Sequence, residues 1–132
     1  MILVDSNVIL DVLGGDPRWS DWSLEQLDTA RSQGELTINP VVYAEVAPRF
    51  DEVAELDGFL AAAAIEVLPL DRAQLFAAGH AHRAYRRRGG ERGRVLPDFL
   101  IGAQALLIRA ALLTRDARVY RTYFPDVRLI TP

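Results

Sequence analysis

The 132-residue chain contains no cysteine and no lysine. The first absence removes disulfides, thiolate metal sites and a cysteine nucleophile, and it fits a reducing compartment, with the cytosol as the default. The second removes the residue with which a phosphate-binding P-loop reaches the β and γ phosphates of a nucleotide. Long hydrophobic runs are missing too. The opening apolar run stops at Asp5 and has no basic flank, as a secretory leader would, and the longest apolar stretch, Phe99 to Leu113, is interrupted by Gln104 and Arg109. A soluble protein with no membrane partner is expected.

What remains is ordinary globular material, 50% hydrophobic and 25% charged, enough for one sizeable core and one domain spanning residues 1–132. The net charge of −3 conceals a division. Residues 1–70 hold 13 acids and 3 arginines, whereas residues 71–132 hold 5 acids and 12 arginines. A polyanion would be met by the second half.

Short β-like runs alternate with helical ones. Strands are expected at Ile2–Asp5, Leu36–Asn39, Ile65–Leu68, Ala111–Thr114 and Val127–Ile130. Helices are expected at Ser6–Leu13, Pro17–Gln33, Pro40–Ala47, Asp51–Ala64, Asp71–Arg88, Asp98–Arg109 and Ala117–Phe124, with loop-like breaks at Gly14–Pro17 and Gly89–Pro97. Apolar strands alternating with helices imply an α/β fold with a parallel sheet covered on both faces. In such sheets function gathers at the carboxyl ends of the strands and at the helix starts that follow them.

Four acids stand in such places. Asp5 follows the first strand and Asp116 the fourth, and each could simply cap the helix that comes next. Asp98 follows Pro97, a common helix opening. Glu45 lies on a helix capped by Asn39 and opened by Pro40, on the same face as Val41 and Val42, and Asp98 shares its face with Ile101, Gly102 and Ala105. Acids on apolar stripes need partners. If strands one and four are neighbours, Asp5 and Asp116 end about 5 Å apart and repel by roughly 3 kcal/mol at an effective dielectric near 20. A divalent cation removes that repulsion, and ligands that are oxygen only, without His or Cys, suit Mg2+ or Mn2+.

The segments ILVDSNVIL, NPVVYAEV, VLPDFLIGAQAL and LLTRD, carrying Asp5, Glu45, Asp98 and Asp116 in that order, resemble the four acidic motifs of PIN-domain ribonucleases, and within that family VapC-type toxins of toxin-antitoxin modules. The likeness covers essentially the whole chain. It implies a PIN-like three-layer α/β/α sandwich with a central parallel sheet in the order 3-2-1-4-5. It also implies Mg2+- or Mn2+-dependent endonucleolytic cleavage of RNA by metal-activated water, inhibition by a cognate VapB-like antitoxin, homodimerisation and a cytoplasmic location. Transferred residue by residue, Asp5, Asp98 and Asp116 would bind the metal directly, with Glu45 completing the pocket or positioning water. Ser6, Asn7 and Thr114 occupy the small polar positions and would support the ligands or touch phosphate.

Other features are weighed against plain structural roles. Arg83, Arg86, Arg87, Arg88, Arg92 and Arg94 crowd into twelve residues leading to Asp98. They are expected either to contact RNA phosphates or to solvate a helix end. His80 and His82, two apart, point to different sides of a helix and are expected to be ordinary helix residues. Trp19 and Trp22, three apart, are expected to pack at least one ring into the core and to offer an apolar patch to an antitoxin segment or a second copy of the chain. Receiver domains and haloacid-dehalogenase-like phosphatases also follow the first strand with an acid and bind Mg2+, but both use a lysine that this chain lacks. A PIN nuclease of RNA maturation and a PIN-like module that binds without cutting are the remaining alternatives.

Overall fold

The computed structural model describes residues 1–90 and 96–132. Five strands, β1 (Ile2–Val4), β2 (Leu36–Ile38), β3 (Ile65–Val67), β4 (Ala111–Leu113) and β5 (Leu129–Ile130), form one sheet in the order β3-β2-β1-β4-β5. Every pairing is parallel, with Val4 opposite Leu113 across β1 and β4. All residues of β1 and β2 are buried, as expected for central strands covered on both faces. The edge strand β3 buries only Ile65. The order makes the β1–β4 boundary the point where the chain reverses its direction across the sheet, and there the carboxyl ends of the strands open a crevice.

Seven α-helices connect these strands among the described residues: α1 (Ser6–Gly14), α2 (Ser20–Gln33), α3 (Pro40–Val46), α4 (Val53–Ala62), α5 (Arg72–Arg87), α6 (Leu96–Ile108) and α7 (Arg118–Tyr123). The β1–β2 and β2–β3 connections run toward one edge of the sheet and the β3–β4 and β4–β5 connections toward the other, which by the right-handed crossover rule sets their helices on opposite faces. None is long and apolar enough to cross a membrane. Local chemistry sets several ends. The Asn39 side chain accepts from the Val42 amide at 2.9 Å with Pro40 at the first helical position, and Asp71 and Gln74 form a reciprocal capping box at α5. Gly15, at φ 60°, closes α1 in the left-handed conformation that glycine tolerates.

Several boundaries differ from the sequence expectation. Helix α2 starts at Ser20, not Pro17, because the Asp16 carboxylate takes the amides of Arg18 and Trp19 at 2.8 and 2.9 Å and holds that segment as a turn. Helix α4 is shorter at both ends than Asp51–Ala64, and Ala64 leaves it at φ 55°. Strand β5 begins at Leu129 because the Val127 amide bonds back to Phe124. Leu96 and Pro97, expected in a loop, are helical, which places Asp98 in the first turn of α6.

Two close contacts seat α6. Gln104, fully buried, donates to the Pro69 carbonyl at 3.0 Å and to the Gln74 side chain at 3.3 Å, joining α6 to α5 and the segment before it. Gly102 lies directly against the Phe124 ring, so close that a Cβ there would overlap it. That approach seats the middle of α6 against the residue that ends α7.

Candidate active site

Asp5 ends β1 and occupies the residue before α1, yet its side chain makes no cap hydrogen bond. The carboxylate is instead 4% exposed and faces the next strand. Its Oδ2 accepts from Thr114 Oγ1 at 2.8 Å, from Tyr120 OH at 2.9 Å and from Asn7 Nδ2 at 3.4 Å. Burial pushes its pKa up, the hydrogen bonds from Thr114, Tyr120 and the Ser6 amide oppose the rise, and Asp116 adds to it. The capping explanation for this acid is thereby set aside.

The other three acids surround it from separate elements. Asp98, half-buried on α6, has its pKa pushed up to about 7, first by burial and then by the charges of Asp5, Glu45 and Asp116, opposed by the Tyr120 hydroxyl. Glu45 on α3 is raised by desolvation and by Asp5, against a hydrogen bond from the Ser6 hydroxyl. Its residue surface is exposed, whereas Val42 and Val46 are buried. The face shared by Glu45, Val41 and Val42 in the sequence reading is thus refined: the buried stripe runs through Val42 and Val46, Val41 is half-buried, and Glu45 stands exposed at the margin. Asp116 is also exposed, and its pKa is lowered, chiefly by Arg118, whose guanidinium meets it at 3.0 and 2.8 Å. Among the described residues no three His, Asp or Glu side chains gather tightly enough to form a ready-made metal cage. The four carboxylates are coupled through their charges, not closed around a point.

The small polar residues fall around these acids. Asn7 also reaches Thr114 Oγ1 at 3.3 Å, and Thr114 Oγ1 accepts from the Asp116 amide at 3.1 Å. Asn7 Oδ1 in turn accepts from the Arg115 amide at 3.1 Å. Asn7 and Thr114 thus tie the end of β1 to the loop after β4.

Four participants were not foreseen from the sequence: Tyr120, Arg118, Asp11 and Arg115. Tyr120 is 1% exposed and donates its hydroxyl proton to Asp5, and the charges of Asp5 and Asp98, after burial, raise its own pKa. A tyrosine one turn before Phe124 on an amphipathic segment was the available signal, since a buried phenol needs an acceptor. Arg115 makes a two-bond fork to buried Asp11, and its guanidinium lies 5.5 Å from the centre of the Trp19 ring. Trp19 also carries Arg18 at 4.9 Å and meets Trp22 edge-on at 6.0 Å. It sits just before α2, not within it, while Trp22 packs against the core.

Among the arginines of the basic run, Arg83, Arg86 and Arg87 line a surface hollow with Gly90 and have no ion pair among the described residues. Arg88 lies 5.7 Å from the Tyr123 ring centre. Arg92 and Arg94 fall outside the described residues. His80 stacks on Phe76 at 4.3 Å, and His82 packs edge-on to Phe99 at 5.3 Å. The ring partners of both histidines among the described residues are aromatic side chains.

A family model described as PIN domain matches residues 2–125. No curated protein matches the chain. Among solved structures, it is similar to a chain in VapBC2 from Rickettsia felis bound to a DNA fragment from their promoter, with TM-score 0.75, 19% identity, and coverage of 100% of this chain and 99% of that one. It is likewise similar to a chain of VapBC-1 from nontypeable Haemophilus influenzae, with TM-score 0.72, 19% identity and coverage of 99% and 98%. A third is DNA-bound VapBC from Salmonella typhimurium, with TM-score 0.72, 18% identity and coverage of 98% and 96%. At such identities the likeness establishes the shared fold.

Proposed function

The chain belongs to the PIN domain family, and from that premise we propose that it is a divalent-cation-dependent endoribonuclease of the VapC type, the toxin of a toxin-antitoxin pair, acting as a single domain in the cytoplasm. The observation that carries the reading is the gathering of four acids at the β1–β4 crevice, where burial first and then the charges of Asp5, Glu45 and Asp116 push Asp98 up to about 7. A carboxyl group that resists ionisation among three others is a functional-site signature. The donor chemistry fits a hard cation, because the set offers only carboxylate oxygens. Asp5, Asp98 and Asp116 would hold Mg2+ or Mn2+, with Glu45 beside them.

When bound, such an ion makes hydroxide available near neutral pH and neutralises charge on a scissile phosphate. The chain's own residues do the rest. Thr114 and Asn7 orient Asp5. Ser6 steadies Glu45. Arg118, with its side chain 88% exposed, is free to exchange Asp116 for a phosphate oxygen. Arg83, Arg86 and Arg87, without an ion pair among the described residues at the end of α5 that leads toward α6 and Asp98, would grip the RNA backbone together with Arg88, and Arg92 and Arg94, outside the described residues, are proposed to join them.

Partner assembly is read from the solved relatives, whose names describe toxin-antitoxin and promoter-DNA complexes. By analogy this chain pairs with a VapB-like antitoxin and with a second copy of itself, and Trp19 and Trp22 mark the candidate surface. Trp19→Ala with unchanged antitoxin affinity would remove that assignment.

The deciding experiment is cleavage of total cellular RNA by the purified chain with Mg2+ or Mn2+, with EDTA, and with Asp98→Asn. Discrete cuts that need both the ion and Asp98 support the reading. RNA binding without cutting points to the non-cleaving module, and cutting confined to precursor RNA points to maturation.

A further inference from the structure

The donors around Asp5 are distributed unevenly. Thr114, Tyr120 and Asn7 all donate to Oδ2, at 2.8, 2.9 and 3.4 Å, and among the described residues no side chain donates to Oδ1. Two of the three arrive from positions that adjoin the strand ends, Asn7 after β1 and Thr114 after β4. Tyr120 comes from α7, beyond the loop that follows β4, and its buried phenol lies within the electrostatic reach of Asp98 on α6. It is 1% exposed, so the phenol oxygen is shielded from bulk water and its one proton goes to Asp5. Two strong O–H donors on one carboxylate oxygen lower its basicity and its availability for a further ligand, and they lock the rotation of the group.

We propose that Tyr120 is a positioning residue of the acidic pocket: its hydroxyl, with that of Thr114, occupies Oδ2 of Asp5, so that Oδ1 is the oxygen this carboxylate presents to a divalent cation. The inference rests on the proposed cation site and names the residue that orients one of its acids. A phenylalanine at 120 would fill the same space and leave Asp5 with fewer anchors.

The test is Mn2+ binding by titration calorimetry to the full chain and to Tyr120→Phe, with thermal midpoints in EDTA and RNA cleavage recorded beside it. The near-isosteric variant is expected to bind Mn2+ about tenfold or more weakly, the usual scale for losing a residue that orients a ligand. Thr114→Val, which strips the other strong donor from the same oxygen, is expected to weaken binding in the same direction. A hydroxyl that serves packing alone would move the midpoint and leave the Mn2+ affinity in place. Equal affinity of wild type and Tyr120→Phe overturns the proposal, and so does a wild-type chain that binds no Mn2+. A wild type that binds Mn2+ yet cuts no RNA defeats the nuclease reading instead, and weaker binding by Tyr120→Phe then still supports the positioning role.

Discussion

Arg115 meets Asp11 through two parallel hydrogen bonds of 2.8 Å each, joining residues 104 positions apart in the chain. Asp11 is 3% exposed and takes a further bond from Ser23 Oγ at 2.8 Å. Because Arg115 stands between Thr114 and Asp116, this pair anchors the loop that brings both to Asp5. Its guanidinium pKa is raised, first by the hydrogen bonds to Asp11.

Breaking the pair from one side leaves Asp11 as a buried charge. Loss of one partner of a fully buried pair costs 3–5 kcal/mol, and the partial exposure of Arg115 moderates this, so Arg115→Met is expected to destabilise by about 2–4 kcal/mol in urea unfolding. The double variant Asp11→Leu with Arg115→Met is expected to recover most of that loss. Additive effects in the double-mutant cycle would show that the two residues are not coupled.

Stability is expected to depend on pH through the raised acids. The folded-state pKa of Asp98, about 7, stands above its ordinary 3.8. The native state therefore binds this proton more tightly, and the associated stability is fully present at low pH and lost as pH rises through about 7. Asp5 and Glu45 are raised and act in the same direction. Asp116 is lowered, so its contribution is present above its ordinary value and lost in acid below it. In EDTA the thermal midpoint is expected to fall between about pH 5 and about pH 8, and Asp98→Asn to flatten that slope. A midpoint that rises over this range would contradict the raised pKa values of Asp5, Glu45 and Asp98.

RNA binding is expected to weaken when Arg86 and Arg87 are replaced by Gln in a background of Asp98→Asn that prevents cutting. Each lost phosphate contact reduces the slope of log affinity against log salt by about 0.7 for single strands. Two contacts therefore predict a slope shallower by about 1.4, read by fluorescence anisotropy at several salt concentrations. An unchanged slope would return these arginines to the role of a solvated helix end.

Gly102→Ala is expected to cost about 1–3 kcal/mol, because the added methyl overlaps the buried Phe124 ring and forces α6 from α7. The same displacement separates Asp98 from Tyr120. Cation affinity is expected to drop together with the unfolding midpoint, and a variant that loses stability alone would show that the helix spacing does not align the acids.

The extent to which the site was legible in the sequence follows the range of the forces involved. Buried runs such as Ile2–Val4 declare themselves locally through their hydrophobicity, and the Asn39–Pro40 start of α3 declares itself through backbone chemistry. Asp5 could be singled out because a carboxylate closing a central strand is anomalous before any partner is known. The exposure of Glu45 was not legible, because a helical stripe three or four residues wide does not say which flank faces the core. The Asp16 turn that delays α2 was overlooked because its bonds compete with helix over only three residues.

By itself, then, the sequence determined the alternation of strands and helices and the acids that stand at their junctions, since both depend on periodicity and on neighbours a few residues away. The packing of the sheet decided what those acids do. It set β1 against β4, brought Thr114 and Tyr120 onto the same oxygen of Asp5, and closed Arg115 on Asp11. These contacts span more than 100 residues of chain. No local pattern encodes them, because they exist only once the core has excluded water and left each buried polar group with the partners that the fold supplies.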